Sequence, residues 1–388
     1  MSVQKDKNIR PKALIAVSLT GFMSFILDDI DILRDMGYDV TVAADNRLGE
    51  DYIRGEIARR GANFVDIRMD TKSPVKKINW DCYRNYCRLI HDGGYKAVVC
   101  HTPITGLAVR MAAIGTGAKV IYVSHGLSWT HLSDWKTKIK FKPIEFFASC
   151  FCDAIITINN EDFEAVQSFN CPNVYKINGV GCDIAGYRDV HVDRIAMRHD
   201  LGVSDDKILV LAIGELSERK NHIVIARALA SLPDAHRYVY AIAGREIASS
   251  GVGKEIQAFC ENNGVQLKLL GFRSDIDKLV HCADIGVIPS VREGLGMAGI
   301  QQLCAGVPMV GTAVQGIKEY VIDDLTGFTV NEPDDIHGFA SAINRLSDAS
   351  LRKSMSGNCI RVAEKFSLEQ SLASRRKIFA EVFNEAHG

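Results

Sequence analysis

The stretch IGVIPSVREGLGMAGIQQLCAGVPMV, Ile285 to Val310, decides how this chain is read. An apolar run, Ile285 to Pro289, gives way to Arg292-Glu293 and two glycines. An apolar-periodic segment follows, stops at Ala305-Gly306 and returns to β-branched residues. That is the pattern strand, glycine turn, helix, strand, which belongs to parallel sheets covered by helices. Glu293 stands at the strand's end, and Gln301 lies eight residues on, about two helical turns further along the same segment.

The same alternation fills the chain. Strands are expected at Ala13–Ser18, Asp39–Ala43, Asn63–Ile67, Ala97–Cys100, Val120–Val123, Ala154–Ile158 and Val174–Ile177. A second series is expected at Ile208–Ile213, Tyr238–Ala243, Leu267–Leu270, Ile285–Ile288, Met309–Gly311 and Phe328–Val330. Helical periodicity lies between them, as in Ile26–Met36 and His222–Leu232. Two series imply an α/β protein of two Rossmann-like, doubly wound domains facing across a cleft. We expect the first to cover residues 1–185 and the second 186–366, divided near the turn-rich Asn178–Asp183. Residues 367–388 read as a helix that packs back on the first domain, with Ser367 as N-cap and Gln370 completing a capping box.

Bulk composition removes several classes. A net charge of −1 leaves no general footprint for nucleic acid. The eleven cysteines contain no C-x-x-C pair and read as reduced, mostly buried thiols. Residues 1–11 are polar, so no signal peptide is visible, and no apolar run is long enough to span a bilayer. A cytoplasmic protein is expected. No G-x-G-x-x-G follows the first strand of either half, which argues against a nicotinamide dehydrogenase.

In doubly wound sheets, ligands bind beyond the carboxyl ends of the strands. Those positions carry Thr20-Gly21-Phe22, His101 and His125 in the first half. In the second they carry Gly214 with Arg219-Lys220, then Gly271-Phe272-Arg273, then Ser290 to Gly296. Arg219 and Lys220 bring cations. Gly294 and Gly296 admit a close backbone and open a helix suited to an anion. Glu293 suits sugar hydroxyls instead. Diphosphate-binding and hydroxyl-binding parts side by side suggest a nucleotide-sugar. Two D-x-D strings, Asp29-Ile-Asp31 and Asp275-Ile-Asp277, lie in or at the start of amphipathic helices, so no metal site is expected.

These residues carry a resemblance. Glu293-Gly-Leu-Gly…Gln301 followed by Ala305-Gly-Val-Pro308 resembles the E-x7-E signature of retaining GT-B glycosyltransferases of family 4. Cys100-His-Thr-Pro103 with Arg110, Ser124-His-Gly126, Pro143-Ile-Glu145, Ile156-Thr-Ile-Asn159 and Asn178-Gly-Val-Gly181 are similar to capsular and exopolysaccharide members. So are Gly214 to His222, Gly316-Ile-Lys-Glu319 and Thr326-Gly-Phe328. The resemblance implies a hexose or N-acetylhexosamine moved from a nucleotide-sugar, a UDP-sugar, to a lipid-linked or saccharide acceptor in cell-surface polysaccharide synthesis. It implies no required cofactor.

It also implies roles. Glu293, His125, Lys220 and Arg219 form the catalytic set. Glu293 and His125 hold the donor sugar from opposite domains, and the two cations neutralise the leaving diphosphate. Gly214, Gly271, Phe272, Arg273, Ser290, Gly294, Leu295, Gly296, Met297 and Gln301 bind the rest of the donor. Thr20, Gly21, Phe22 and His101 belong to the acceptor side. The chain departs from the family in four places. Gln301 stands where a glutamate is usual, Glu215 where many members have an arginine, the Thr20 loop lacks a Gly-Gly pair, and a histidine near Gly21 is replaced. A neutral hydrogen bond contributes roughly 0.5–1.5 kcal/mol against roughly 1.5–3 for a charged one, so nucleotide binding through Gln301 is expected to be weaker.

The segment Trp135 to Phe147 is basic and aromatic. It reads either as a solvated loop before a helix or as a patch that sits on anionic lipid through Lys136, Lys138, Lys140 and Lys142, at the inner face of the plasma membrane. A nucleotide-sugar epimerase on the same fold, or a catalytically degenerate GT-B binding protein, are the alternative functions.

Overall fold

The computed structural model describes residues 10–70, 76–247 and 250–384. Most of the polar N-terminal stretch and the end of the expected C-terminal helix lie outside these residues. The first sheet contains β1 (Lys12–Leu19), β2 (Asp39–Asp45), β3 (Asn63–Asp66), β4 (Tyr95–His101), β5 (Lys119–Ser124), β6 (Ala154–Thr157) and β7 (Asn173–Lys176). The second contains β8 (Ile208–Ile213), β9 (Tyr238–Ala243), β10 (Gln266–Gly271), β11 (Ile285–Ile288), β12 (Met309–Thr312) and β13 (Gly327–Val330). The spatial orders are β3-β2-β1-β4-β5-β6-β7 and β10-β9-β8-β11-β12-β13. Neighbouring strands run parallel.

All thirteen expected strands are present: the central ones are apolar runs buried on both faces, while β3, β7 and β10 at the sheet edges are only partly buried. In β1, Ala13 to Val17 are at most 1% exposed. Strand order reverses between β1 and β4 and between β8 and β11. Both reversals open a crevice at the carboxyl ends, where a ligand fits. Two boundaries differ from expectation. His101 is the last residue of β4 rather than part of the following loop. The helix expected from Ile26 begins at Asp28, because Thr20–Phe25 is wound as a tight 3-10 turn.

The chain passes between the domains twice, and the two passages are joined. The Cys182 N–H donates to the Phe366 carbonyl and the Leu368 N–H donates to the Cys182 carbonyl, both at 2.9 Å. The helix Leu368–Asn384 then lies on the first domain. There Arg376 pairs with Asp35 at 2.9 Å, and Tyr175 donates to Glu381 at 2.8 Å. Only half of the expected capping box forms. The Gln370 N–H reaches Ser367 Oγ at 3.3 Å, but the Gln370 side chain donates to the Glu364 carbonyl. That carbonyl also takes the Ser367 N–H, so the preceding 3-10 turn has already satisfied what the box would have capped. All eleven cysteines are free thiols, and eight are buried.

The deepest contact of this helix is an ion pair. Arg375 and Asp29, 2% and 1% exposed, bond directly to each other, and Arg375 also donates to the Val180 carbonyl at 3.2 Å. Removing one partner of a buried pair strands the other charge, whereas replacing both with apolar groups is often neutral. Arg375→Met is therefore expected to lower the unfolding free energy by about 3–5 kcal/mol, and Asp29→Leu with Arg375→Met to recover most of it, read by urea denaturation.

Candidate active site

The turn after β11 is shaped by packing. Gly296 has φ 80° and caps the helix Met297–Cys304. A Cβ on Gly296 would stand 2.8 Å from the Tyr320 hydroxyl, and one on Gly299 would stand 2.4 Å from it. That hydroxyl donates to the Gly296 carbonyl at 3.2 Å. The turn thus presents Glu293, whose side chain is 14% exposed. Its Oε2 accepts from Lys220 Nζ, from Arg219 at 3.1 Å and from Ser290 Oγ at 3.2 Å. Burial pushes the Glu293 carboxyl up, but Lys220 and Arg219 hold it below its ordinary range. The cations expected to face a diphosphate are turned onto this carboxylate.

Arg219 is held from a second side. Glu215, which stands where many family members carry an arginine, pairs with it at 3.1 Å. Gly214 makes room for the other cation, since a Cβ there would sit 3.1 Å from the Lys220 stem. Gly271, Phe272 and Arg273 follow β10. Phe272 is 63% exposed, with the Arg245 guanidinium 4.2 Å above its ring, while Arg273 is tied to Asp275 at 2.8 Å. Gln301 is half-buried on the second turn of the Met297–Cys304 helix.

The two domains meet at this turn. A Cβ on Gly294 would fall 2.0 Å from the His125 carbonyl oxygen, and one on Gly126 would fall 2.9 Å from Gly294 Cα. Asn159 donates to the Gly294 carbonyl at 2.8 Å. The buried Gln315 accepts from the Glu293 N–H at 3.0 Å and donates to Asp162 at 3.0 Å. Leu295 packs on Gly179. Gly294 and Leu295 therefore close the interface as well as forming the turn. Gln315, Asn159 and Asp162 were not singled out as site residues. Gln315 follows β12, and its φ of 39° marks it as constrained, but a backbone angle leaves no trace in composition.

On the first-domain side, His125 is half-buried and meets the edge of the Phe22 ring, with centroids 4.7 Å apart. His101 Nδ1 and His125 Nε2 are 2.9 Å apart. Burial pushes His101 well down and His125 down to about 3, so both rings are neutral near pH 7. Two expected acceptor-side residues are withdrawn from the cleft. Thr20 is buried and donates to the Asp45 carbonyl at 3.2 Å, and His101 is 1% exposed behind His125. Gly21 lies against the Glu50 carboxylate, which a Cβ there would push aside.

A cleft of about 640 Å³ is lined by Thr130 and Ser133 on one side and by Arg219, Val291 and Arg292 on the other. A second cavity of about 320 Å³ lies at the ends of β1, β4 and β5, walled by Ser18, Thr102, Ser128, Phe141 and Ile144. Arg292 lines both. Burial and the nearby Arg219 charge push its pKa down, and no ion pair neutralises its guanidinium among the described residues. The sequence places Arg292 in the Ser290–Gly296 turn without giving it a role of its own. Among the described residues no cluster of three His, Cys, Asp or Glu side chains is placed to hold a metal. Asp29 and Asp275, from the two D-x-D strings, are on Arg375 and Arg273.

The two domains match two family models. Residues 30–179 match the Glycosyltransferase Family 4 model, and residues 193–362 match the Glycosyl transferases group 1 model. The chain belongs to the GT-B glycosyltransferases of family 4, akin to exopolysaccharide enzymes, and is a transferase. Among its relatives is the putative glycosyltransferase EpsD of Bacillus subtilis, 29% identical over 84% of each chain. Another is the UDP-Gal:alpha-D-GlcNAc-diphosphoundecaprenol alpha-1,3-galactosyltransferase of Escherichia coli, 26% identical over 88% of each. The crystal structure of Anabaena HepE with UDP and glucose has the same fold, with a TM-score of 0.77 at 16% identity over 95% of this chain and 100% of that one. WaaG, a glycosyltransferase of lipopolysaccharide biosynthesis, has it too, with a TM-score of 0.71 at 15% identity over 94% and 99%. Neither family model is that of an epimerase or a binding protein.

Proposed function

We propose that this enzyme transfers a hexose or N-acetylhexosamine, with retention, from a UDP-sugar to a lipid-linked saccharide. The observation that carries the reading is Glu293, a half-buried carboxylate held by Lys220 and Arg219 on the turn whose next residue, Gly294, touches the His125 carbonyl of the other domain. Residues 1–185 with the C-terminal helix serve as the acceptor-side domain and residues 186–366 as the donor domain. The relatives support the donor and the acceptor by their chemistry: one is named for UDP-galactose and a diphosphoundecaprenol-linked sugar, and a fold neighbour holds UDP and glucose.

In this reading, donor binding exchanges partners. Sugar hydroxyls replace Lys220 and Arg219 on Glu293, and the released cations turn to the diphosphate, where charge gathers as the glycosidic bond loosens. Phe272, under Arg245, offers the base a flat surface, and Gln301 a neutral ribose contact. Glu215 restrains Arg219, so Lys220 carries more of the diphosphate. With a panel of nucleotide-sugars, purified enzyme should slowly release nucleotide from one donor. Glu293→Ala should reduce that release by about 10²–10³-fold, the scale of losing a group that stabilises the transition state, while still binding UDP. Undiminished release from the Ala variant would overturn the role of Glu293.

Arg292, unpaired between the two cavities, is assigned to the acceptor's phosphate. Arg292→Met should lower transfer to a diphosphate-linked acceptor by roughly 10- to 100-fold, as loss of a charge-assisted bond does, and leave donor hydrolysis in place. Equal loss with a neutral alkyl-linked acceptor would refute this.

The segment Trp135–Ser149 is one helix, not a loop before one. Trp135, Ile139 and Phe147 are 66%, 64% and 54% exposed, beside the exposed Lys136, Lys140 and Lys142. Lys138 differs from expectation: it is half-buried and donates to the His131 carbonyl at 2.8 Å. No helix among the described residues is long and apolar enough to cross a membrane. We place this helix on the inner face of the plasma membrane, with three lysines each contributing about 1 kcal/mol. Replacing those three with glutamate should abolish sedimentation with anionic vesicles. Sedimentation unchanged by the replacement would exclude the contact.

A further inference from the structure

Behind His125 the first domain holds a line of groups that no catalytic role has used. Arg375 bonds to Asp29 Oδ1. Asp29 Oδ2 has no hydrogen-bond partner among the described residues, and neither has His101 Nε2, which faces it at 3.7 Å. His101 Nδ1 then meets His125 Nε2 at 2.9 Å. The two rings lie within 27° of one plane, with centroids 5.2 Å apart, as two rings joined edge to edge by one proton require. The Phe22 ring holds His125 from the side.

The protons along this line follow from charge. Burial holds the Asp29 carboxyl above its ordinary range even with Arg375 bonded to it, and the line is read with Asp29 as the carboxylate that pairs with this permanent cation. Each histidine is neutral and carries one N–H. A bare Nε2 on His101 would point a lone pair at a buried carboxylate, so the proton sits on Nε2. His101 Nδ1 is then an acceptor, and the 2.9 Å contact needs a donor on His125 Nε2. His125 Nδ1 is left without a proton. It has no protein partner among the described residues and is not among the atoms sealed from solvent.

We propose that Asp29 and His101 are positioning residues that fix His125 as the Nε2–H tautomer, so that its Nδ1 meets the substrate as a hydrogen-bond acceptor and selects a hydroxyl at that point. The selectivity rests on the reading that His125 contacts the donor sugar; the tautomer does not. The line runs from the C-terminal helix to the cleft, so the same ion pair that fastens the helix also sets which hydrogen bond the sugar must supply.

The tautomer is read on the intact protein labelled with 15N-histidine, with the His125 signals assigned through His125→Gln. The spectrum should show a protonated Nε2 and an unprotonated Nδ1. In Asp29→Asn, Arg375 takes the amide oxygen and turns the NH2 toward His101. Both histidines then reverse, and His125 should carry its proton on Nδ1. If Asp29→Asn fails to fold, His101→Phe keeps the ion pair and a ring, and His125 should become a mixture of tautomers. A protonated Nδ1 in the native protein, or a tautomer unmoved in the variant, overturns the proposal. Monodeoxyfluoro donors supply the second readout, because fluorine cannot donate to a bare nitrogen. The native enzyme should disfavour the analogue at one sugar position by roughly tenfold, the weight of one hydrogen bond, and Asp29→Asn should relax that preference. A preference that persists unchanged removes the selectivity claim. Absence of turnover with every donor would instead refute the transferase reading and leave the tautomer result standing.

Discussion

Two glycines touch where the domains meet, and most of the site depends on that contact. Gly126 and Gly294 approach backbone to backbone, closer than any Cβ would allow. Their contact excludes water from polar main-chain groups, and each group needs a partner. Asn159 supplies one to the Gly294 carbonyl and Gln315 supplies one to the Glu293 N–H. Gln315 in turn is held by Asp162, which burial pushes toward protonation and which Gln315, Asn159 and the Leu127 N–H stabilise as a carboxylate. Glu293 is thereby fixed at its backbone, one residue from the contact, while its carboxylate stays available for exchange.

That carboxylate works against a balance of charges. Lys220, Arg219 and Arg292 gather around Glu293 and Glu215. An arginine at position 215 would add a third cation beside Arg219, and repulsion would drive the pair toward a diphosphate. A glutamate there does the opposite and keeps Arg219 on the protein. In the proposed exchange, the glutamate therefore moves the site from standing attraction for an anion toward attraction that appears once Glu293 is occupied. Lys220, with its stem against Gly214, is the cation left closest to release.

The fold was legible because parallel strands buried on both faces must be apolar throughout. Every one of the thirteen expected strands is such a run or half of one. The placement of Glu293, Lys220 and His125 beyond the carboxyl ends of strands was legible because strand ends can be read from the apolar runs. The polar interior was not. Asp29 read as one of several acids on an amphipathic helix, and nothing local tells that its partner is Arg375. Thr20 and His101 sat at strand ends as the cleft residues do, yet their side chains turn inward. Strand position tells which end of a sheet a residue occupies. The direction of its side chain depends on helices elsewhere in the chain.

The helix Leu368–Asn384 completes the first domain, but it follows the entire second domain in the chain. The ion pair that anchors it joins residues 346 positions apart. Contacts of such separation form late, because the loop between them must close first. A growing chain therefore assembles the first sheet long before the counter-ion for Asp29 has been made. Until then the first domain carries a buried, unpaired acid and an uncovered apolar flank where Phe379 and Phe383 will lie. The second domain, made of one continuous segment, has no such wait. In vectorial synthesis the later domain thus matures first, and the tautomer proposed for His125 can be set only once the helix carrying Arg375 docks.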